Sequence, residues 1–356
     1  WRMIDFKKAI NSDSLDTIGS KQVKSEKTPK ELFLKKRKNK VITKASMYKM
    51  FGLQDSPLLK DYRQAYRCNE AIIKDPNTGK ITVYYCKKRC CTVCARIKSA
   101  QSLAKYAEAI LKLEDLYLVT LTNVNVLKGE LNDETSRMVE VISKIRVNMR
   151  VQGIKLNGYK SFECTYSRYK GFNPHFHLVV QGKEVAEMLL KLWLKQFPNA
   201  TKSSQDITKV GETYKDLQEV FKYVAKPVTK GYYNPVAYDE IMCALINRRT
   251  TEPLGVIRGA KPLKKECTTD IGIDDLQSQN INWNGYEFNV WNYVNELHDW
   301  VSDEGECLID EPLDKETKEA LEAINKPFNN EEEIPKETQP KDYTRISYRN
   351  DRQILF

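Results

Sequence analysis

Residues 159–182, YKSFECTYSRYKGFNPHFHLVVQG, hold two extended runs, YKSFECTYS (159–167) and PHFHLVVQG (174–182), joined through a loop at Gly171. Aromatic and β-branched residues fill both runs and turn formers separate them, which predicts a β-hairpin. Upstream, LYLVTLTNV (116–124) is continuously apolar and β-branched, the pattern of a buried strand. Between them, Met138, Val141, Ile142 and Ile145 recur at helical spacing, with Asn132 or Asp133 as the expected cap. Downstream, KEVAEMLLKLWLKQF (183–197) predicts a second amphipathic helix stopped by Pro198, and DITKVG (206–211) a short strand. ETYKDLQEVFKYVAK (212–226) predicts a third helix stopped by Pro227. The order β-α-β-β-α-β is an α+β architecture, a split antiparallel sheet with helices packed on one face.

The hairpin also holds two of the chain's three histidines, His175 and His177. Positions i and i+2 of a strand point to one face, so the two imidazoles project together while Phe176 faces the opposite layer. Such a pair can grip one divalent ion, and a carboxylate as third ligand leaves positions open for a substrate oxygen. Two buried, hydrogen-bonded histidines are the structural alternative. Glu163 is the candidate carboxylate: a register pairing 163 with 177 and 165 with 175 puts it on the histidine face, whereas a one-residue slip leaves it a solvated strand residue.

In LQEVFKYVAKP, Glu219, Tyr223 and Lys226 are spaced i, i+4, i+7 and share one helical stripe, while Val220, Phe221 and Val224 occupy another arc that can be buried. A phenol has a pKa near 10, so it attacks at neutral pH only beside positive charge or a polarised phosphate. An ion held by the histidines supplies the electrophile. Lys226 can stabilise the developing anion, and Glu219 can accept a proton or activate water, which together are the parts of a phosphodiester transesterification. A surface tyrosine escorted by charges is the alternative.

LVTLTNV, NPHFHLVV and EVFKYVAK, in that order, resemble the three motifs of HUH endonucleases, a superfamily with a ferredoxin-like sheet. Within it the chain looks most like the rolling-circle replication initiators of small Gram-positive plasmids, with one Tyr and an upstream Glu. The resemblance spans about residues 60 to 230. It implies that Tyr223 attacks a scissile phosphate at the plasmid double-strand origin, leaving a 5′-phosphotyrosine and a 3′-OH that primes the host polymerase. It implies that Glu219 directs water at the terminating cleavage, and that the ion on His175, His177 and Glu163 is Mg²⁺ or Mn²⁺. No GxxxxGK[ST] loop occurs, so unwinding falls to a host helicase. A relaxase or a single-tyrosine transposase has the same chemistry, and a non-catalytic zinc-containing DNA-binding regulator is the alternative of a different class.

Five of nine cysteines fall between Cys68 and Cys94, in a chain with the character of a cytosolic protein, which favours Zn²⁺ over disulfides. The resemblance extends to a C-x-x-R-x-C-P-x-C pattern, here Cys86, Arg89, Cys91 and Cys94 with Thr92 in place of Pro. It implies Cys68 as fourth ligand and Cys90 as a spare. Lys87, Lys88, Arg89, Arg96 and Lys98 surround the knuckle, either as a DNA contact or as a solvated rim.

The net charge of +10 favours a polyanionic partner. Residues 1–50 carry 14 Lys/Arg against 5 Asp/Glu, and residues 302–342 carry 5 against 14. Five segments are therefore expected: a basic arm (1–60), a cysteine-rich zinc segment and linking helix (61–114), a nuclease core (115–230), a mixed region of unassigned role (231–300) and an acidic flexible tail (301–356), with the termini partly disordered and both charged ends either mobile or only partly helical. No stretch has the roughly 20 apolar residues of a membrane span, so a cytoplasmic protein without membrane contact is expected. The chain starts at Trp1 without an initiating Met, which suggests a fragment or processed form. Oligomeric state is open, and a homodimer is one compatible arrangement.

Overall fold

The computed structural model describes residues 29–74, 81–211, 216–217, 220–221, 226–229, 231–260 and 289–327. A five-stranded antiparallel sheet takes β3 (Leu116–Thr122), β4 (Gly158–Ser167), β5 (Gly171–Gln181), β6 (Asp206–Lys209) and β7 (Thr251–Leu254) in the order β6-β3-β5-β4-β7. Helix α4 (Leu131–Val151) joins β3 to β4, and α5 (Lys183–Gln196) joins β5 to β6, so the expected β-α-β-β-α-β unit is present. Both helices bury their apolar stripes on one face: Met138, Val141, Ile142 and Ile145 of α4 are buried, and Trp193 of α5 meets Phe176 edge-on at 6.0 Å. Trp193 Nε1 also donates to the Thr122 carbonyl at 2.9 Å, which satisfies its one polar group.

The opposite face is covered in part by α3 (Thr92–Leu111). Ala107 and Ile110 of α3 form a buried cluster with Leu116, Tyr159, Val179, Leu217, Val220, Phe221 and Ile257. Tyr159 and Val179 are register partners, so they share this face with the partners Glu163 and His175.

A second antiparallel sheet, ordered β2-β1-β8-β9, combines β1 (Ala71–Lys74) and β2 (Ile81–Val83) with β8 (Asn289–Val294) and β9 (Asp299–Ser302). Around it lie α1 (Pro29–Met50), α2 (Leu59–Tyr66) and α7 (Lys315–Asn325), while α6 (Pro235–Ala244) packs on α1 and α4. One continuous hydrophobic cluster runs from Met47 and Tyr62 through Ile142 and Phe176 to Trp300.

Two expectations change, the hairpin register and the cap of α4. The hairpin register is 163 with 175 and 165 with 173, because β5 starts at Gly171 and leaves a loop of only residues 168–170. The displacement is two residues, so Glu163 stays on the histidine face. The cap of α4 is Glu130, whose side chain makes no bond to the helix's first amides, and Asn132 and Asp133 fall inside its first turn. The arm expected over 1–60 is helical in part, as α1 and the start of α2, and the segment expected as a tail opens on the end of β9 and contains α7, whose first turn is capped by Asp314 accepting from the Thr317 amide at 2.9 Å. The basic and acidic segments meet directly: Arg37 donates to the carbonyls of Glu311 at 2.7 Å and Pro312 at 3.1 Å and lies 3.8 Å from Asp299, and Lys38 pairs with Glu316. Beyond residue 230, β7 adds an edge strand to this sheet.

Of the helix expected over 212–226, Leu217, Val220 and Phe221 are described in turns and buried. Glu219, Tyr223 and Val224 lie outside the described residues, as do 1–28, 261–288 and 328–356. Among the described residues no helix is long and apolar enough to cross a membrane.

Candidate metal centre and cysteine cluster

The alternation of β5 and the odd-with-odd register bring Glu163, His175 and His177 together, with one donor atom from each within 4.8 Å of the others. Glu163 Oε2 lies 3.6 Å from His175 Nε2 and 3.5 Å from His177 Nε2, and the two rings stand at 89° with centroids 4.8 Å apart. The other nitrogen of each ring is occupied. His175 Nδ1 donates to the Asn173 carbonyl at 2.9 Å, which fixes the proton on Nδ1 and frees the Nε2 lone pair. His177 Nδ1 lies 3.1 Å from Thr120 Oγ1, which accepts its proton when Nε2 is free to ligate.

Burial works to raise the Glu163 carboxyl, but the contacts from His175 and His177 outweigh it and hold the group at about 2, so it is ionised at any ordinary pH. Two imidazole Nε2 atoms and one carboxylate, each aimed at a shared space and the rings held from behind, fit a divalent ion with open coordination positions. Thr120 was not singled out from the sequence. Its signal is the alternation in VTLT, where Thr120 and Thr122 interrupt an apolar strand at every second position and so face the same side as the histidines.

Cys68, Cys86, Cys91 and Cys94 form the second cluster, all four buried. Cys68 follows α2, Cys86 follows β2, and Cys91 caps α3, accepting from the Cys94 amide at 3.5 Å. The Sγ–Sγ distances of 3.5 Å for Cys68–Cys94 and 3.7 Å for Cys86–Cys94 approach the roughly 3.8 Å edge of a tetrahedron with Zn–S bonds of about 2.3 Å. Further amides point at the sulfurs: Lys87 N lies 3.3 Å from Cys94, Lys88 N 3.4 Å from Cys86 and Cys86 N 3.5 Å from Cys68. Contacts with Cys68, Cys86 and Cys94 lower the pKa of Cys91 and favour its thiolate, the form a metal requires. Four thiolates with amide donors behind them fit Zn²⁺. Cys90 stays apart, its thiol pushed up by burial.

Thr92 holds the knuckle to α1. Its amide donates to Thr43 Oγ1 at 3.1 Å, and its hydroxyl bonds Thr43 Oγ1 at 2.7 Å and the Asn39 carbonyl at 2.9 Å. The basic residues of the knuckle divide. Lys87, Arg96 and Lys98 are exposed. Lys88 pairs with Asp61 at 2.9 Å, and Arg89 donates to the carbonyls of Leu245 and Arg248, so its guanidinium ties the knuckle to the end of α6 instead of facing solvent. From the knuckle, α3 runs to the histidine face, where Ser99 Oγ donates to the Phe221 carbonyl and Phe221 stacks on Tyr159 at 4.4 Å. Lys226 is exposed, beside Tyr166, Tyr232 and Tyr238.

The family described as Replication protein matches residues 80–296. A Staphylococcus aureus protein named Protein rep is 30% identical over 159 residues, a match that covers 41% of this chain and 66% of that protein, slightly under two thirds of its length. No solved structure matches. The family match runs through three of the four cluster cysteines, the histidine face and the segment of Phe221, so the chain belongs to the Replication protein family, in keeping with the likeness to Gram-positive rolling-circle initiators carried by its three motifs.

Proposed function

We propose that the protein initiates rolling-circle replication of a plasmid by nicking one strand at the double-strand origin and rejoining it at termination. The observation that carries this reading is the convergence of Glu163, His175 and His177 on the sheet face against which Phe221 packs. Tyr223 is the nucleophile. Its phenol oxygen attacks the scissile phosphorus, the bond to the 3′ oxygen breaks, and a 5′-phosphotyrosine remains while the departing 3′ oxygen takes a proton from water. Glu219 accepts the phenol proton in this step and orients water in the terminating one. Lys226 pairs with a phosphate oxygen as negative charge develops. Glu163, His175 and His177 would hold Mg²⁺ or Mn²⁺, which when bound would supply charge neutralisation at the scissile phosphate. Cys68, Cys86, Cys91 and Cys94 would hold Zn²⁺, which would fix the start of α3, and Lys87, Arg96 and Lys98 meet DNA phosphates. A host helicase and polymerase complete the cycle.

Rejoining is the reverse displacement, in which a 3′-OH attacks the phosphotyrosine and restores the tyrosine. The test is an oligonucleotide carrying the origin of the encoding plasmid, incubated with the protein and Mn²⁺. A covalent adduct that survives denaturation and is absent with Tyr223→Phe is the expected result. An intact oligonucleotide with folded wild-type protein overturns the reading in favour of a non-catalytic DNA-binding regulator.

A further inference from the structure

The β4–β5 hairpin ends in a three-residue tip, Arg168, Tyr169 and Lys170, all exposed, with Tyr169 open over 70% of its surface. A single exposed tyrosine is ordinary. Here it is flanked by two cations, with the Arg168 guanidinium 4.4 Å from the Tyr169 ring centre, and among the described residues no carboxylate pairs with Arg168 or Lys170. A third exposed cation, Lys128, lies on the adjoining segment. Two carboxylates lie by this segment: Glu130 accepts from the Leu127 amide at 2.9 Å, and Glu240 accepts from the Gly129 amide at 2.7 Å and interacts with Lys128.

The tip stands on a fixed base. Lys170 N donates to the Ser167 carbonyl at 3.2 Å, and Phe172 exchanges backbone bonds of 2.8 and 2.9 Å with Val126. Gly171, at φ +75°, sits where a Cβ would lie 2.3 Å from the Val126 carbonyl oxygen, so only glycine lets the two backbones close. The ladder also aligns the tip with the metal centre. The pairs Glu163 with His175, Thr165 with Asn173 and Ser167 with Gly171 follow one another on one face, a run of about 13 Å at strand spacing. That is a reach of a few nucleotides.

We propose that this tip binds the single DNA strand flanking the scissile phosphate, Tyr169 stacking on a base while Arg168 and Lys170 pair with backbone phosphates. An exposed aromatic face between cations suits a chain that alternates π-faces with negative charge, and base stacking tolerates any sequence. The inference rests on the nicking reading for its choice of partner and is tested without it. Binding of a fluorescein-labelled 20-nucleotide oligo(dT) to the full chain is followed by anisotropy over a salt series. Tyr169→Ala weakens binding about tenfold and Tyr169→Phe retains it. The double variant Arg168→Gln with Lys170→Gln lowers the slope of log K against log salt by about 1.4. Unchanged circular dichroism confirms that these exposed changes leave the fold intact. Equal affinity and equal slope in Tyr169→Ala and in the double variant overturn the proposal, whereas adduct formation by the wild type is scored separately and bears on the nicking reaction alone.

Discussion

His175 and His177 are each held at two points, Nε2 toward Glu163 and Nδ1 by a partner behind the ring. The partner of His175 is a backbone carbonyl and cannot be removed by substitution, but that of His177 is the Thr120 hydroxyl. Thr120→Val keeps the side-chain shape and strands the Nδ1 proton, so Mn²⁺ affinity measured by calorimetry falls about tenfold, while Thr120→Ser restores it. Equal affinity in Thr120→Val would show that the hydroxyl does not orient the ring. Thr92 shows why a departure from a family pattern need not weaken a site. A proline there would lack the amide that bonds Thr43, so the threonine exchanges backbone rigidity for a link to α1. Arg89 carries the opposite lesson: a cation beside a knuckle looked free to meet DNA, and two carbonyls more than 150 positions away in sequence had already taken it.

At the scale of elements, α3 joins the two clusters. Cys91 caps it and Cys94 lies in its first turn, Ser99 holds the Phe221 carbonyl, and Ala107 and Ile110 pack under the sheet. Loss of zinc should therefore reach the histidine face through this helix. Treating the protein with EDTA and returning Mn²⁺ alone is expected to leave adduct formation impaired, and returning Mn²⁺ with Zn²⁺ to recover it. Cys94→Ser is expected to lose the zinc and lower Tm by on the order of 10 °C; unchanged Tm in zinc-free protein would make the cluster dispensable. The hairpin, α4 and α5 were legible because each obeys one local period, two for the strands and 3.6 for the helices. Glu163 was placed on the correct face although the register was displaced by two, since parity alone decides the face. Strand β7 was not legible: it is four residues with Pro253 inside, which signals a break unless the strand is at a sheet edge, where β7 lies.

At the scale of the molecule, the opposed charges of the two ends have a structural answer. Read along the chain, 14 basic residues in the first 50 and 14 acidic ones in 302–342 look like two separate solvated segments. In their described parts they pack together, α1 against α7, with Arg37 buried on the carbonyls of Glu311 and Pro312 and beside Asp299. No local period encodes a contact between residues more than 250 apart, so pattern reading could not find it. Exposed pairs such as Lys38 with Glu316 contribute little to stability; the buried Arg37 fixes the geometry. The central claim is likewise one of convergence, that Glu163, His175 and His177 share one ion while the four cysteines hold another. Equilibrium dialysis of the full chain against Mn²⁺, with zinc read by atomic emission, tests it most directly. One Mn²⁺ and one Zn²⁺ per chain, with Mn²⁺ alone lost in the double variant His175→Ala with His177→Ala, is the predicted result; Mn²⁺ bound equally by that variant would contradict it.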